Sequence, residues 1–282
     1  MLIDYLQTRI DDYGPKDAIE QECVLQEILQ QYVLMSLSKT AFFRKAMFHG
    51  GTCLRLLHQL PRFSEDLDFL LMKKDERFDW PRYLNDVQED CALEGIDFEI
   101  RDRSKADLAV KKAFLKTDSV GKIFTLTLPH YREASRKTRI KLEIDTNPPG
   151  GSDYEPRFLT FPRPATIACQ SLESGFATNI HALLCRSYVK GRDWYDLIWY
   201  VNRGISPKLD VLSNALDQQR PWQGEQPEVT MDWLVEHMKE KVKDIDWEGA
   251  RNDVKRFLPS PEAEGLAQWG TPFFLSVVER IA

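Results

Sequence analysis

Two aspartates one residue apart, Asp66 and Asp68, stand in the mostly apolar segment 66–71. Residues i and i+2 of a strand point to the same face, so a strand here would place both carboxylates side by side and turn Leu67 and Phe69 toward the core. Adjacent carboxylates repel each other unless a cation joins them. Oxygen ligands of this kind suit Mg²⁺, which retains waters and takes further ligands from substrate phosphates. The pair therefore predicts a magnesium site that holds a nucleoside triphosphate.

A glycine turn precedes this pair in the chain. Gly50, Gly51 and Thr52 follow the strand-like segment 47–49 and open the helix-like segment 52–58. Glycines let the backbone approach phosphate oxygens, and the start of the helix presents unpaired N–H groups to which Thr52 adds a hydroxyl. Either pattern alone is weak, because Gly-Gly turns and Asp-x-Asp pairs are common. Their occurrence in this order favours phosphate binding over a capped helix and a solvated strand edge.

A third acidic segment, 139–145, alternates polar and apolar residues. As a strand it would place Arg139, Lys141, Glu143 and Asp145 on one face. Nucleotidyl transfer often uses two cations, so Glu143 is a candidate third metal ligand and Lys141 a candidate phosphate ligand. A strand with a charged outer face is an equally good interpretation of this segment taken alone.

Hydrophobic periodicity predicts the elements that must position these residues. The pattern is a mixed sheet with flanking helices up to residue 163, followed from residue 164 by a helical domain that completes the active site. The fold class is therefore α/β (α+β), with a soft boundary near Pro164 after the turn-rich stretch 147–153, beyond which strands give way to helices. Helices are predicted over 16–38, 39–46, 52–58, 80–91, 171–186, 192–202 and 208–218, and strands over 67–71, 96–100, 122–128 and 139–145.

Composition narrows the classes of function. The chain has 282 residues, 43% of them hydrophobic, and no apolar run long enough to cross a bilayer, so we expect a protein of the cytoplasm with no membrane partner. Its five cysteines are scattered and its five histidines show no metal-ligand spacing, which predicts neither a disulfide framework nor a zinc cluster. The net charge of -6 argues against bulk electrostatic binding of nucleic acid, although basic residues concentrate between 105 and 141.

Three motifs together resemble the AbiEii-type nucleotidyltransferase toxins of the DNA polymerase β-like superfamily. They are His-Gly-Gly-Thr at 49–52, Ser-Glu-Asp-Leu-Asp-Phe at 64–69 and Lys-Gly-Arg-Asp-Trp-Tyr-Asp-Leu at 190–197. The resemblance covers about 48–200. It implies a bacterial toxin, with a role in phage defence and a cognate antitoxin as partner, that transfers a nucleoside monophosphate from an NTP to an RNA, such as the tRNA 3′ end, or to a protein.

The resemblance also implies residue roles. Asp66 and Asp68 match the metal-binding aspartates, and Gly51 and Thr52 match the first motif, with Gly50, Arg62 and Ser64 assigned to the nucleotide. Lys141 and Glu143 match the second motif, and Asp193 matches the acidic residue of the fourth.

One position departs from the family pattern. The third motif places a lysine on a helix, where this chain has Asn179. An amide keeps hydrogen-bonding capacity but loses the charge that binds phosphate. A weakened enzyme, a disarmed toxin, or replacement of the charge by Arg62 or Lys141 would each explain the change. Two other functions follow as alternatives: a nucleotidyltransferase that modifies an antibiotic-like small molecule, or a nucleotide- or antitoxin-binding protein without turnover.

Overall fold

The computed structural model describes residues 2–94, 96, 98–102, 110–117 and 139–281. Within this part of the chain, two compact units are present. The first comprises Met1–Gln59, Phe63–Asn147 and Pro156–Cys169, and the second comprises Leu60–Arg62, Pro148–Glu155 and Gln170–Ala282. No helix among the described residues has the length and apolar character that a membrane span requires. The predicted strand 122–128 lies outside the described residues, as do several of the basic residues between 105 and 141.

A seven-stranded mixed sheet forms the first unit, in the order β3-β4-β5-β2-β1-β7-β6. Strand β1 pairs antiparallel with β2, whereas β2 pairs parallel with β5, and β1 pairs parallel with β7. The mixed α/β class predicted from the sequence is confirmed. The strands are β1 (Ala46–His49), β2 (Asp66–Leu71), β3 (Phe98–Asp102), β4 (Val110–Thr117), β5 (Arg139–Asp145), β6 (Tyr154–Leu159) and β7 (Ala165–Gln170).

Among the described residues, the first unit contains four helices: α1 (Leu2–Tyr13), α2 (Ala18–Lys39), α3 (Gly50–His58) and α4 (Pro81–Leu93). Helix α2 begins at Ala18, two residues after the predicted start, because the Asp17 carboxylate caps it by accepting hydrogen bonds from the N–H groups of Ile19 and Glu20. The central turns of α2 are buried almost all round, which explains why the helix shows only a weak polar face. An aromatic core beside β2 is centred on Phe42, which packs against Phe69 and Trp80.

Seven helices form the second unit. The helix predicted over 171–186 is α5 (Leu172–Cys185), and the Ser171 side chain caps it by accepting a hydrogen bond from the N–H of Ser174. The rings of Trp194 and Phe274 lie 5.2 Å apart in the helical core. The helices are α5 (Leu172–Cys185), α6 (Gly191–Asn202), α7 (Leu209–Gln218), α8 (Met231–Lys243), α9 (Trp247–Lys255), α10 (Ser260–Ala263) and α11 (Thr271–Val278).

Two local predictions were wrong. The expected helix over 39–46 is only a 3₁₀ turn, Phe42–Arg44, because α2 continues to Lys39 with Thr40 as its C-cap, and the Phe42 side chain is fully buried. Strands do not end after residue 153, since β6 and β7 both join the sheet. The strand propensity of both segments is low, because β7 contains alanine and cysteine and β6 contains a proline.

Candidate active site

Three acidic residues lie on the same face of two neighbouring strands. Strands β2 and β5 are parallel, with Asp66 opposite Lys141 and Asp68 opposite Glu143. In both strands these polar residues are partly exposed, and the residues between them are buried. The shared face inferred from the alternation is therefore confirmed. Asp66, Asp68 and Glu143 form an acidic cluster on one face of the sheet.

Lys141 lies within this acidic cluster. Its Nζ is 2.9 Å from the Glu143 Oε1 and 3.8 Å from the Asp66 Oδ2. Burial lowers the pKa of Lys141, but the hydrogen bond to Glu143 and the charges of Asp66 and Asp68 outweigh this effect and raise the pKa above its ordinary value. The ammonium group stays charged, and it offsets part of the repulsion among the three carboxylates.

The glycine turn adjoins the same acidic cluster. Helix α3 starts at Gly50, directly after β1, and His49 at its N-cap makes no side-chain capping hydrogen bond. Gly50 has φ +76°, and a Cβ at this position would lie 3.0 Å from the Asp68 Oδ2. Only glycine combines this backbone conformation with so close an approach to the carboxylate. The start of α3 thus lies beside the Asp68 carboxylate.

Thr52 has a different place from the one expected. Its side chain is buried, and its hydroxyl donates a hydrogen bond to the backbone carbonyl of Asp66. This bond ties the first turn of α3 to the first residue of β2. Thr52 therefore positions the two elements of the site relative to each other.

Helix α2 supplies two positioning residues that sequence reasoning missed. Gln30 donates from Nε2 to the carbonyls of Ser64 and Glu65, at 3.1 and 2.8 Å. Gln26 donates to the Glu65 carbonyl at 2.9 Å. These amides fix the backbone that enters β2. The available sign was the occurrence of glutamines on a helix whose central turns are buried, because buried amides require hydrogen-bond partners.

Burial lowers the pKa of His49, to about 4, so its imidazole is neutral near pH 7. His49 stands opposite Asp68 in the antiparallel pair of β1 and β2. A neutral ring adds no positive charge to the acidic cluster.

In the second unit, Arg62 forms a buried ion pair with Asp196. The Nε and Nη2 atoms donate to the two carboxylate oxygens at 2.7 and 2.6 Å, and Arg62 is 2% exposed. Burial disfavours both charges, but Asp196 holds the pKa of Arg62 above its ordinary value. Burial raises the pKa of Asp196, whereas the charge of Arg62 and its hydrogen bonds lower it. Because the bidentate pair needs both carboxylate oxygens as acceptors, we assign the ionised form to Asp196. Arg62 was expected to bind nucleotide, and this bond engages its guanidinium.

Asp193 and Asn179 also meet in the second unit. Asp193 Oδ2 is 2.6 Å from Nη1 of Arg186, and Lys190 Nζ is 3.8 Å from the other carboxylate oxygen. Asn179, on α5, donates from Nδ2 to the backbone carbonyl of Asp193 at 3.1 Å. The candidate residues thus form two groups: Gly50, Gly51, Thr52, Ser64, Asp66, Asp68, Lys141 and Glu143 in the first unit, and Arg62, Asn179 and Asp193 in the second.

Solved structures with a similar fold indicate the class of protein. JHP933 from Helicobacter pylori is 19% identical, with 92% of this chain and 91% of that chain covered and a TM-score of 0.52. MenT4, a nucleotidyltransferase toxin from Mycobacterium tuberculosis H37Rv, is 16% identical, with 95% and 98% covered and a TM-score of 0.52. At this identity the likeness is one of fold, and the fold is that of a nucleotidyltransferase.

The family follows from the sequence itself. The model of the nucleotidyl transferase AbiEii toxin family, a type IV toxin–antitoxin system, matches residues 32–269. Because the match covers most of the chain, the protein belongs to the AbiEii family of nucleotidyltransferase toxins. The predicted resemblance and the predicted enzyme class are both confirmed. No curated protein matches the chain.

Proposed function

We propose that this toxin transfers a nucleoside monophosphate from an NTP to an RNA acceptor in a magnesium-dependent reaction. The observation that carries the proposal is the register of β2 and β5, which puts Asp68 opposite Glu143 and Asp66 opposite Lys141 on one face. Three carboxylates beside a positively polarised helix start are suited to metal ions bound to a triphosphate.

The donor set fits Mg²⁺, because Asp66, Asp68 and Glu143 offer only hard oxygen ligands. When bound, the ions would neutralise charge on the triphosphate and activate the attacking hydroxyl. The chain itself would orient the nucleotide: the N–H groups at the start of α3 would donate to phosphate oxygens beside Asp68, and Lys141 would pair with a phosphate as its contact with Glu143 is exchanged. Effects of this kind act mainly through positioning and fixed charge.

The acceptor is the less constrained part of the proposal. The basic residues concentrated between 105 and 141 favour RNA, because phosphate neutralisation by lysine and arginine dominates RNA affinity. Such an acceptor, together with the NTP, would place the reaction in the cytoplasm. Membership of a toxin–antitoxin family supports a cognate antitoxin as a partner and, by extension, a role in phage defence.

A second candidate function is a toxin with reduced turnover. Asn179 replaces the lysine expected from the resemblance, and its amide N–H donates to the Asp193 carbonyl. An amide engaged in this way supplies no charge to phosphate. Nucleotide binding with slow transfer would then be the property of this chain, and Asn179→Lys would raise the transfer rate.

The deciding experiment is a transfer assay with the full chain, Mg²⁺, each α-labelled NTP in turn, total RNA and total cell protein. Label should appear in RNA, disappear with EDTA and return with added Mg²⁺. The variants Asp66→Asn and Asp68→Asn should lower transfer by at least about a thousandfold, since metal ligands act on the transition state. Asp90→Asn on α4 is a matched control, because Asp90 makes only a surface ion pair with Lys39.

Each other outcome has a definite meaning. Label in protein would move the acceptor from RNA to protein, and label in neither pool would reject macromolecular transfer under these conditions. Equal loss in Asp90→Asn and Asp68→Asn would show that the substitutions act through folding, and full activity of Asp68→Asn would reject the acidic cluster as the active site.

A further inference from the structure

Two cysteines and a histidine that lie far apart in the sequence meet inside the first unit. Cys53 and His58 lie on α3, and Cys169 lies on β7. Their ligand atoms all lie within 4.8 Å of one another. Sequence spacing alone predicted no zinc cluster, because the third member arrives only through the pairing of β1 with β7, in which Phe48 faces Cys169.

The geometry points to a binding site for a thiophilic cation, Zn²⁺, formed by Cys53, His58 and Cys169. This site is separate from the acidic cluster and does not depend on the proposed transfer reaction. Thiolate and imidazole ligands select Zn²⁺ over Mg²⁺, whereas the carboxylates of the acidic cluster do the reverse. A zinc ion bound to ligands at about 2.0–2.3 Å needs ligand atoms roughly 3.5 Å apart, so the three side chains need to contract by only about 1 Å.

The histidine gives a second, independent indication. His58 is 6% exposed, and its Nε2 is buried without a hydrogen-bond partner among the described residues. A buried imidazole nitrogen without a partner is destabilising, and a metal ion is one of the few partners that would satisfy it.

Charge favours occupancy of the buried site. Cys53 is 3% exposed and Cys169 is 0% exposed, so an isolated ion would be strongly disfavoured there. Two thiolates and a neutral imidazole around Zn²⁺ carry no net charge, which removes most of that penalty. Three protein ligands leave a fourth position, which a water molecule would fill.

The position of the site suggests its effect. Cys53 lies in the first turns of α3, next to Thr52, and Cys169 lies on the strand beside β1. A metal ion would therefore fasten both ends of α3 to the sheet beneath the glycine turn. The expected consequence is a higher melting temperature on zinc binding, since a ligand that binds only the folded state stabilises it.

The test uses the full chain, kept reduced and stripped of metal, in the background Asp66→Asn/Asp68→Asn so that the acidic cluster does not bind the probe. Native mass spectrometry should show one Zn²⁺ per chain, and Co²⁺ should give the near-ultraviolet sulfur-to-cobalt charge-transfer band of thiolate coordination. Cys53→Ser and His58→Gln should weaken Zn²⁺ binding by at least about tenfold, as expected for loss of a ligand. Cys185→Ser is the matched control, because Cys185 is a half-buried thiol outside the cluster.

Two results would overturn the site: no thiolate band and no stoichiometric Zn²⁺ in the background protein, or a band that Cys53→Ser leaves intact while Cys185→Ser removes it. The first result decides the matter even if the variants fail to fold, because it is measured on the parent protein. Circular dichroism of each variant separates loss of a ligand from loss of fold.

Discussion

At the scale of single residues, Asn179 shows how a side chain that departs from the family motif finds a hydrogen-bond partner within the fold. Its Nδ2 donates to the backbone carbonyl of Asp193, and its Oδ1 is buried with no partner among the described residues. The amide therefore links α5 to the first turn of α6. This bond uses one of the two N–H donors of Nδ2, and Oδ1 is itself an acceptor, so Oδ1 cannot bond to a phosphate oxygen. The geometry assigns Asn179 to the support of Asp193.

Replacing Asn179 with alanine distinguishes a role in supporting the Asp193 backbone from a role in binding the NTP. We expect the KM for NTP to stay within about twofold of the wild type, because no phosphate contact is lost. Stability should fall by about 1 kcal/mol, the net value of one hydrogen bond. Steady-state kinetics and urea unfolding measure the two effects. A tenfold rise in KM with unchanged stability would show instead that Asn179 contacts the nucleotide.

Residue-level prediction from sequence succeeded where a strand's alternation fixes the direction of side chains. Asp66, Asp68 and Glu143 share a face because alternate strand residues always do, and only the register was missing. It did not anticipate the contacts of Thr52 and Arg62, whose partners in the structure are a backbone carbonyl and Asp196. Their assignment to the nucleotide stays a prediction. The tertiary fold supplies both partners, and no local pattern encodes them.

At the scale of elements, the start of α6 depends on a close approach to α9. An ideal Cβ at Gly191 would lie 1.8 Å from the backbone oxygen of Ala250. Backbone atoms of a packed helix cannot move aside as a flexible side chain does. The glycine of the Lys-Gly-Arg-Asp motif is thus required by helix packing, and it allows Asp193 to stand in the first turn of α6.

Gly191→Ala should therefore destabilise the protein by about 3 kcal/mol, the upper part of the range for overpacked sites. Gly265→Ala is the control, since a Cβ there meets nothing within 4 Å, and it should change stability by less than about 0.5 kcal/mol. Chemical unfolding of both variants gives the comparison. Equal stability of the Gly191→Ala and Gly265→Ala variants would mean that α9 shifts freely and that the contact of Gly191 with Ala250 does not constrain α6.

The boundaries of helices and strands could be predicted where a capping residue or an alternation of polar and apolar residues marked them. Helix α2 has Asp17 as its cap, and β5 (Arg139–Asp145) has the predicted bounds. Strands β4, β6 and β7 were not predicted. The lysines of β4, the proline of β6 and the small residues of β7 have a low propensity for strands. Strand β4 pairs with β5, β7 pairs with β1, and β6 pairs with β7. These partners stabilise the three strands, and the pairing is non-local information.

At the scale of the whole molecule, burial of neutral histidines couples stability to pH. Burial, with a smaller contribution from Arg186, lowers the pKa of His181 to about 4, and burial lowers that of His49 to about 4. The ordinary value is about 6.5, so the unfolded chain binds protons between pH 6.5 and 4 that the folded protein excludes. Stability from these residues is present above pH 6.5 and is lost as pH falls toward 4.

We therefore expect the melting temperature to fall between pH 7.5 and pH 5, with each of these partly buried histidines contributing about 1 kcal/mol of lost stability at pH 5. His181→Gln removes one titrating group, and its melting temperature should fall less over the same range, because glutamine binds no proton. Scanning calorimetry of the wild type and the variant at both pH values gives the change in melting temperature for each protein separately. An equal fall in the two proteins would show that the pH dependence comes from other groups. His181 Nε2, which has no partner in the part of the chain that the structure describes, would then accept a proton in the folded state as readily as in the unfolded chain.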